Sequence, residues 1–384
     1  PVWLKNQLNE WMNPMSVALI HDWLTGMRGG EKCLETLCGL LPDADIHTLV
    51  HLPGSVSAAI ESRPIITSFV QNLPGVKNSY RSYLPLFPTA VERFDLSAYD
   101  LVLSSSHCVA KGVIPRPDAF HLCYCHTPMR YVWDQYPQYF APEKMNALKK
   151  RLVPLFANYL RMWDVSSSVR VDRFVANSSH VAGRILKYYG RRSDVVHPPV
   201  ATAHTRISEK DDGYFLIVSA FAPYKRIDLA IAAFNQLNEK LVIVGSGPEE
   251  KRLKASAGPN ITFTGWIDAQ QLNDCYARCR ALIFPGEEDF GMVPVEAQCW
   301  GKPVIAFGRG GSLETIAGHW ADSSRKPAAG CTGLYFRNQT VQDLIQAVEA
   351  FSRWQPNPRA IRKQALRFDT AVFIKAMNKL IQER

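Results

Sequence analysis

Two glutamates in one short stretch are the residues whose type and spacing point most directly to chemistry. Glu288 and Glu296 lie eight positions apart in PGEEDFGMVPVEA, which follows the apolar run ALIFP. Ionised carboxylates accept hydrogen bonds from hydroxyl groups, so two of them after one strand can hold a polyhydroxylated ligand. The plainer interpretation is a charged turn before a helix. In either case Glu287 and Asp289 are expected to be solvated neighbours.

The segment between the two glutamates predicts how they are positioned. A helix is expected to begin near Val293 or Pro294, because proline is well tolerated in the first turn of a helix. Glu296 then lies about one turn inside that helix, and both carboxylates are expected to face one cleft. The backbone N–H groups near the start of the helix belong to Phe290, Gly291 and Met292.

Anion-binding features follow two other predicted strands. In GMRGGEK, Gly29 and Gly30 would let backbone N–H groups approach an anion at the start of the next helix. In SAFAPYKRID, Lys225 and Arg226 stand where a helix should begin, although cations there oppose the helix dipole. A polyphosphate ligand would explain that cost. The plainer structural interpretations are a tight turn at the two glycines and a solvated surface pair at Lys225 and Arg226.

His126 ends the predicted strand FHLCYC. Ligands of open α/β sheets bind at the carboxyl ends of the strands, which favours contact between this imidazole and a ligand. A single histidine is more often structural, and we weigh the two roles equally for His126.

Short apolar runs that end in glycine or polar turns predict the elements that hold these residues. In the first half the predicted strands are Ser16–Ile20, Asp45–Val50, Leu101–Ser106, Phe120–Cys125 and Arg173–Ser179. In the second half they are Tyr214–Ala220, Leu241–Gly247, Ile261–Gly265, Ala281–Gly286 and Pro303–Gly308. Such runs, separated by helical segments, predict parallel sheets covered on both faces. The predicted fold class is α/β, with two doubly wound Rossmann-like domains facing across a cleft.

The polar, proline-bearing stretch His197–Gly213 is predicted to link the two domains. The expected boundaries are residues 15–200, residues 201–365, and residues 366–384 for a C-terminal helix that packs back on the first domain. Residues 1–14 are expected to be an extension or a cloning remnant. Pro154 is expected to break or kink a long helix within Lys144–Asp172.

Composition narrows the class of protein. A chain of 384 residues is too long for one ordinary core. The net charge of +9 is spread over both halves, which suits anionic ligands or anionic lipid surfaces better than nucleic acid. The nine cysteines lack zinc-site spacing and are expected to be reduced and mostly buried. The sequence has neither an apolar run long enough to span a membrane nor a signal-peptide pattern at its start.

These motifs together resemble a known family. The Glu288-x7-Glu296 spacing, followed by GKPVIAFGRGGSLETI, resembles retaining glycosyltransferases of family 4, which have the GT-B fold. The resemblance runs from about Met15 to the end and includes HDWLTGMRGGE, YCHTPMRYVWDQY, VSAFAPYKRIDLAI, VGSGPE and FTGWIDAQQL. Within the family the chain looks most like mannosyltransferases of bacterial surface-polysaccharide and O-antigen assembly that use GDP-mannose.

The resemblance implies that the second domain binds the nucleotide-sugar donor and the first binds the acceptor. Glu288 would hold hydroxyls of the donor hexose and Glu296 the ribose, while the backbone around Phe290, Gly291 and Met292 contacts sugar and phosphate.

The other matching residues would complete the donor site. Lys225 would grip the diphosphate, helped by the amides near Gly29 and Gly30. His126 would lie beside the transferred sugar, near its 6-hydroxyl, and Trp266 falls where such enzymes hold the base.

One position departs from the family pattern. Many members carry an arginine five residues before the phosphate-binding lysine, where this chain has Ala220. Arg226 or Arg184 is a candidate to compensate.

The implied reaction needs no metal and no cofactor. Lys225, Arg226 and backbone amides would stabilise the leaving diphosphate, and the DAD triplet at 43–45 is interpreted as a turn. The resemblance implies that the acceptor attacks on the face from which the phosphate departs, and that the phosphate helps take the proton. His126 and Glu288 are then positioning residues, and Glu288 and Glu296 are not a nucleophile pair.

The acceptor is expected to be a glycan or a lipid-linked saccharide. Lys77–Pro88 and Leu148–Trp163 mix cations with aromatic and aliphatic residues, which suits an anionic bilayer surface or, equally, core helices with solvated lysines. The expected location is the cytoplasm, with peripheral binding at the inner membrane face.

Several alternatives stay open. They are a UDP-sugar-dependent glycosyltransferase, a nucleotide-sugar epimerase of the same fold, and a non-catalytic glycan- or nucleic-acid-binding protein. A dehydrogenase is less consistent with the sequence, which lacks GxGxxG after its strands.

Overall fold

The computed structural model describes residues 15–140, 147–203 and 205–384. The extension expected at residues 1–14 lies outside the described part. The chain forms two compact units. The first contains the described residues up to Asn177, together with Val181–Val196 and Ala376–Arg384. The second contains Ser178–His180 and His197–Lys375.

The first unit contains a sheet of seven parallel strands. Their bounds are β1 Val17–His21, β2 Asp45–Thr48, β3 Ile65–Thr67, β4 Leu101–Ser106, β5 Phe120–Cys125, β6 Arg173–Ala176 and β7 Ser193–Val195. The order across the sheet is β3-β2-β1-β4-β5-β6-β7. The central strands β1 and β4 are buried along their whole length, as expected for a parallel sheet with both faces covered.

The second unit repeats this arrangement for its first five strands and reverses the order of the last two. Its strands are β8 Tyr214–Val218, β9 Lys240–Val244, β10 Ile261–Gly265, β11 Ala281–Phe284, β12 Val304–Phe307, β13 Gly318–Trp320 and β14 Gly333–Phe336. All the pairings are parallel, in the order β10-β9-β8-β11-β12-β14-β13. Both sheets therefore place the first strand beside the fourth, which is the point where ligands bind in doubly wound domains.

Helices connect the strands of both sheets. In the first half of the chain they are α1 Gly29–Leu40, α2 Ala58–Glu61, α3 Val76–Ser79, α4 Phe87–Glu92, α5 Tyr136–Tyr139, α6 Ala147–Ser167 and α7 Ser179–Tyr189. In the second half they are α8 Ile227–Phe234, α9 Glu250–Ser256, α10 Ala269–Arg278, α11 Met292–Cys299, α12 Ser312–Thr315, α13 Val341–Ser352, α14 Pro358–Ala365 and α15 Thr370–Gln382. Short 3-10 turns at Tyr80–Leu86, Ala110–Gly112 and Pro223–Lys225 lie close to the residues discussed below.

Every predicted strand is present, but several of the predicted runs extend past the end of the strand. The predictions Leu241–Gly247 and Ala281–Gly286 included glycine loops that follow β9 and β11. Four strands were missed, namely β3, β7, β13 and β14. Each has only three or four residues.

A break or a kink was expected at Pro154; the break is wrong, because α6 continues through that residue, and the kink stays a prediction. Proline removes one hydrogen bond from a helix interior, but tertiary packing can outweigh that loss. Here Ala157, Leu160 and Trp163 anchor the helix in the core of the first unit.

The predicted linker is irregular but firmly attached to the second unit. Val200 exchanges backbone hydrogen bonds with Phe368 and Thr370, and the amide of Ser208 donates to the carbonyl of Trp300. These bonds satisfy backbone groups that would otherwise be unpaired in a segment without a sheet or a helix.

The nine cysteines are all free thiols, and eight of them are buried, which confirms the prediction of mostly buried cysteines. Over the ranges that the structure describes, none of the helices has the length and apolar character needed to cross a membrane.

Candidate active site

The glycine turn and His126, predicted separately, lie together in the first unit. Helix α1 begins at Gly29, and a Cβ on Gly30 would sit 3.4 Å from His21 Cε1 and 3.8 Å from His126 Nε2. A Cβ at residue 30 would therefore be in van der Waals contact with both imidazoles. Gly30 lets the start of α1 pack against the carboxyl ends of β1 and β5.

A hydrogen-bonded line connects these imidazoles through β4. Ser105 Oγ lies 2.9 Å from His126 Nε2 and 3.2 Å from His21 Nδ1. Burial, reinforced by the charges of His107 and His21, lowers the pKa of His126 to about 3. His126 is therefore a neutral imidazole at physiological pH. It can hydrogen-bond a hydroxyl without presenting a positive charge.

Glu31 provides a carboxylate in the first turn of α1. Its Oε2 accepts a hydrogen bond of 3.0 Å from the amide of Arg28, and its Oε1 lies 3.9 Å from His21 Nε2. Burial alone would raise the pKa of Glu31, but hydrogen bonding and charge from His21 lower it overall. An anion binding at Gly29 and Gly30 would thus share the helix start with an existing carboxylate, which the sequence-based prediction did not include.

Asp22, directly after β1, organises the loop that follows β4. Its two oxygens accept four hydrogen bonds of 2.6–2.9 Å from the consecutive backbone amides of His107 to Ala110. Its Oδ2 also lies 3.0 Å from Nδ1 of His107. Burial acts to raise the pKa of Asp22, but these interactions hold it well below the usual range. Asp22 is therefore ionised and fixed in place.

In the second unit, Lys225 and Glu288 form an ion pair, with Lys225 Nζ donating to Glu288 Oε1. Lys225 ends the turn after β8, and Glu288 follows β11, the neighbouring strand. Their loops touch closely, since a Cβ on Gly286 would lie 3.0 Å from Lys225 Cα. The structure thus brings together the residues predicted to hold diphosphate and hexose.

Arg226 stands at the start of a helix, as predicted. It has φ 53°, in the left-handed region, and serves as the N-cap residue of α8. Its guanidinium lies 3.4 Å from both Asp228 Oδ1 and Gln339 Oε1. Asp228 in the first turn of α8 thus offsets the unfavourable cation at the helix start.

Of the two arginines considered as replacements for the missing one, Arg226 belongs to the second unit and Arg184 to the first. Ala220 is exposed, while Arg184 lies in the first unit, paired with the carboxylate of Asp134.

The segment after Glu288 is fixed by backbone contacts. The carbonyl of Glu288 accepts a 2.8 Å hydrogen bond from the amide of Gly311, and Phe290 is buried. Gly291, with φ 88°, precedes α11, which begins at Met292, one residue before the predicted start. Glycine is favoured at Gly291 because side chains rarely tolerate that φ.

Glu296 lies one turn into α11, as predicted, and is held by a residue that was not predicted. The hydroxyl of Tyr276 on α10 donates a hydrogen bond of 2.8 Å to Glu296 Oε2. Burial and the adjacent carboxylate raise the pKa of Tyr276 well above its usual value, so this hydroxyl remains a donor.

Comparison with known families assigns the chain. Residues 27–204 match the family model described as Glycosyltransferase Family 4, and residues 202–368 match the one described as Glycosyl transferases group 1. The chain belongs to glycosyltransferase family 4. The family resemblance seen in the sequence is confirmed.

Curated relatives of this family 4 chain include mannosyltransferases. The O-antigen chain mannosyltransferase C of Escherichia coli is 28% identical over 177 residues, which cover 41% of this chain and 46% of that protein. Alpha-1,3/1,6-mannosyltransferase ALG2 of Saccharomyces cerevisiae is 26% identical over 263 residues, covering 54% and 50%. The chain therefore spans about half the length of the curated relatives it matches.

Solved structures share the fold. HepE of Anabaena, solved in complex with UDP, superposes with a TM-score of 0.67 at 16% identity, covering 96% of this chain and all of that one. Sucrose-phosphate synthase of Thermosynechococcus elongatus gives 0.71 at 17% identity, covering 96% and 99%. The predicted GT-B fold is confirmed.

Two sequence-based expectations near Glu288 have different outcomes. Asp289 was expected to be solvated, but it is only 9% exposed, and its backbone carbonyl accepts a hydrogen bond from Ser178 Oγ. Glu287 is half-buried, with Oε2 3.4 Å from Arg309 Nε.

Trp266 is 81% exposed just beyond β10, and its base-binding role stays a prediction.

The sequence analysis overlooked the residues that hold the predicted ones. In the first unit these are His21, Asp22, Glu31, Ser105 and His107, and in the second Tyr276. The carboxyl-end rule that selected His126 would also have selected His21, Asp22, Ser105 and His107, since β1 and β4 end there. Tyr276 lies on a helix and has no comparable signal.

Proposed function

We propose that this family 4 chain transfers mannose from GDP-mannose to a saccharide acceptor, glycan or lipid-linked, in polysaccharide or O-antigen synthesis, with retention of anomeric configuration. The main observation in its favour is the Lys225–Glu288 pair at the ends of neighbouring strands. The likeness to two mannosyltransferases supports mannose as the sugar.

The pair suggests how the donor binds. A nucleotide sugar carries an anionic diphosphate next to a polyhydroxylated ring. Lys225 would exchange Glu288 for the diphosphate, and Glu288 would accept hydrogen bonds from the hexose hydroxyls. Fixed cations and amides stabilise a leaving phosphate as its charge develops. Arg226 and the amides of Gly29 and Gly30 would add to this effect, with no metal in the proposed step.

The other site residues take roles consistent with their surroundings. Glu296, oriented by Tyr276, would bind the ribose hydroxyls. The backbone of Phe290, Gly291 and Met292 would contact sugar and phosphate, and the exposed Trp266 would stack on the base.

His126 and Glu288 would position the reacting sugar rather than form a covalent bond to it. The acceptor oxygen bonds to the anomeric carbon as the bond to the diphosphate breaks on the same face, and the proton passes to the departing phosphate. The neutral imidazole of His126 suits contact with an uncharged hydroxyl.

Calorimetry with GDP, UDP and ADP, followed by turnover assays with GDP-mannose and UDP-glucose, tests the donor. The expected result is tightest binding of GDP and turnover of GDP-mannose. Preference for UDP and UDP-glucose would replace this proposal with a UDP-sugar-dependent transferase, which the likeness to the UDP-bound HepE favours. Sugar modification without acceptor would indicate an epimerase.

We also propose that the outer face of α6 binds an anionic membrane surface, which would bring a lipid-linked acceptor to the enzyme. Five large apolar side chains on this face are exposed by 38% to 68%, at alternating spacings of four and three residues: Leu148, Leu152, Leu155, Tyr159 and Met162. The stretch 147–163 contains no acidic residue and includes Lys150, Arg151 and Arg161. An apolar stripe flanked by cations is typical of a helix lying in the membrane interface.

Vesicle flotation tests this surface. The protein should float with phosphatidylcholine vesicles that contain phosphatidylglycerol, and Leu155→Glu combined with Met162→Glu should abolish flotation. Val372→Glu, at another exposed apolar position, serves as the control. Equal flotation of the double variant, or none by the wild type, would contradict the proposal.

A further inference from the structure

His107 is an accessible imidazole that the assigned roles do not use. It is the first residue after β4, between the strands that end at His21 and His126. Its side chain is 23% exposed, in contrast to the fully buried carboxylate beneath it. It therefore occupies the strand-end position at which doubly wound domains contact their ligands.

Asp22 fixes the orientation of this ring. The carboxylate cannot rotate away, because four backbone amides hold it, and its Oδ2 faces Nδ1 of His107 at 3.0 Å. Nδ1 must then carry a proton and donate it to Asp22. Nε2 is left as the nitrogen that can meet a ligand, and a histidine aimed by a carboxylate in this way loses little side-chain entropy on binding.

The neighbours of His107 indicate which ligand it meets. On one side its ring centre is 6.4 Å from that of His126, which is assigned to the transferred sugar. On the other side it stands edge-on to Trp23 at 4.5 Å, and Trp23 in turn packs on Tyr80 at 5.3 Å. The guanidinium of Arg81 lies over the Tyr80 ring. His107 thus contacts His126, which is assigned to the donor sugar, and Trp23, which packs on Tyr80, all in the unit that the family resemblance assigns to the acceptor.

We propose that His107 is an acceptor-binding residue whose Nε2 forms a hydrogen bond with a hydroxyl of the acceptor saccharide. This inference rests on the proposed function. His107 makes no covalent bond and takes up no proton in the reaction. The nucleophilic oxygen bonds to the anomeric carbon, the diphosphate leaves, and the proton goes to the diphosphate.

The test compares His107→Asn, His107→Gln and the wild type. Asparagine can keep the donor to Asp22 but has no atom at the Nε2 position, whereas glutamine can place an amide oxygen there. His319→Asn, in the second unit, is the matched control. The acceptor probe is octyl α-mannoside, and both transfer to it and hydrolysis of the donor are measured.

In His107→Asn, KM for octyl α-mannoside should rise roughly tenfold, as expected for the loss of one ligand hydrogen bond. The ratio of transfer to hydrolysis should fall by a similar factor. His107→Gln should recover part of both, and His319→Asn should match the wild type. If His107 had only a structural role, the variants would change in thermal stability, but the KM for octyl α-mannoside would not rise relative to the KM for the donor.

An unchanged acceptor KM in His107→Asn, or a parallel rise in donor and acceptor KM, would overturn the proposal. Assays of the wild type alone identify the donor. A preference for UDP-glucose would refute the proposed donor, but not the role of His107. The ratio of transfer to hydrolysis in the His107 variants would then be measured with UDP-glucose. A wild type that transfers from neither donor would refute both.

Discussion

The two units have sheets of the same topology through five strands, yet they present different chemistry at the strand ends. In the first unit the ends of β1, β4 and β5 carry imidazoles linked by Ser105, with Asp22 and Glu31 buried beside them. In the second, β8 and β11 are followed by opposite charges in direct contact. One topology can thus support a cluster of imidazoles with buried carboxylates or a direct pair of opposite charges, and the residues after each strand determine which.

The largest effect should come from breaking the charged site. Lys225→Ala is expected to lower kcat/KM for the donor by about 10²- to 10³-fold, because a cation facing a developing phosphate charge is lost. Lys302→Ala, which removes a lysine of the same unit bonded to the Lys210 carbonyl, is the control. Steady-state assays with GDP-mannose measure the change. If Lys225→Ala kept more than a tenth of wild-type activity, the charge of Lys225 would not be what stabilises the leaving diphosphate.

The neutral histidines of the first unit should make it acid-sensitive. Burial lowers the pKa of both His47 and His121 to about 4. An unfolded histidine titrates near 6.5, so between these values the unfolded chain binds more protons. The free energy of unfolding should therefore fall as pH drops below about 6.5, by on the order of 2 kcal/mol per histidine between pH 7.5 and 5.

Urea unfolding at the two pH values, followed by proteolysis and assignment of peptides to each unit, measures that loss. The midpoint of the first unit should shift further than that of the second. His47→Phe keeps an aromatic ring beside Phe94 and Tyr99 but cannot titrate, so its shift should be smaller. If the urea midpoint shifted equally in both units, or if His47→Phe left the shift of the first unit unaltered, the first unit would not owe a greater acid sensitivity to its neutral histidines.

The smallest effect should come from the support of Glu296. Tyr276→Phe removes one hydrogen bond to the carboxylate and should raise the Kd for GDP about 3- to 10-fold. Tyr214→Phe, which removes a hydroxyl bonded to the Cys275 carbonyl in the same unit, is the control. Glu296→Gln should weaken GDP binding further. If Glu296→Gln abolished turnover with unaltered affinity, the ribose assignment would be wrong.

The two glutamates of the second unit were easy to find in the sequence because they are close together along the chain. Glu288, the Gly291 turn and Glu296 lie within nine consecutive residues, so their spacing is visible in the sequence. The first unit's site is assembled from β1, α1, β4 and β5. Only the strand order, with β4 between β1 and β5, brings Ser105 between His21 and His126. No spacing in the sequence encodes that order.

The errors arose where tertiary packing outweighs local preference. Pro154 opposes a helix, yet the buried side chains around Leu160 keep α6 continuous. Asp289 is a charged residue in an apparent surface turn, yet it is buried, and Ser178 Oγ donates a hydrogen bond to its carbonyl. In both places the deciding contact comes from a distant part of the chain.

The ion pair between Lys225 and Glu288 has a consequence for the end of a catalytic cycle. Under the proposed function, a complete donor displaces both partners at once, one by its phosphates and the other by its hexose. After transfer the hexose has gone, and Glu288 again competes with the nucleoside diphosphate for Lys225. Re-formation of the Lys225–Glu288 ion pair would therefore weaken the binding of GDP after transfer and favour its exchange for a new donor molecule.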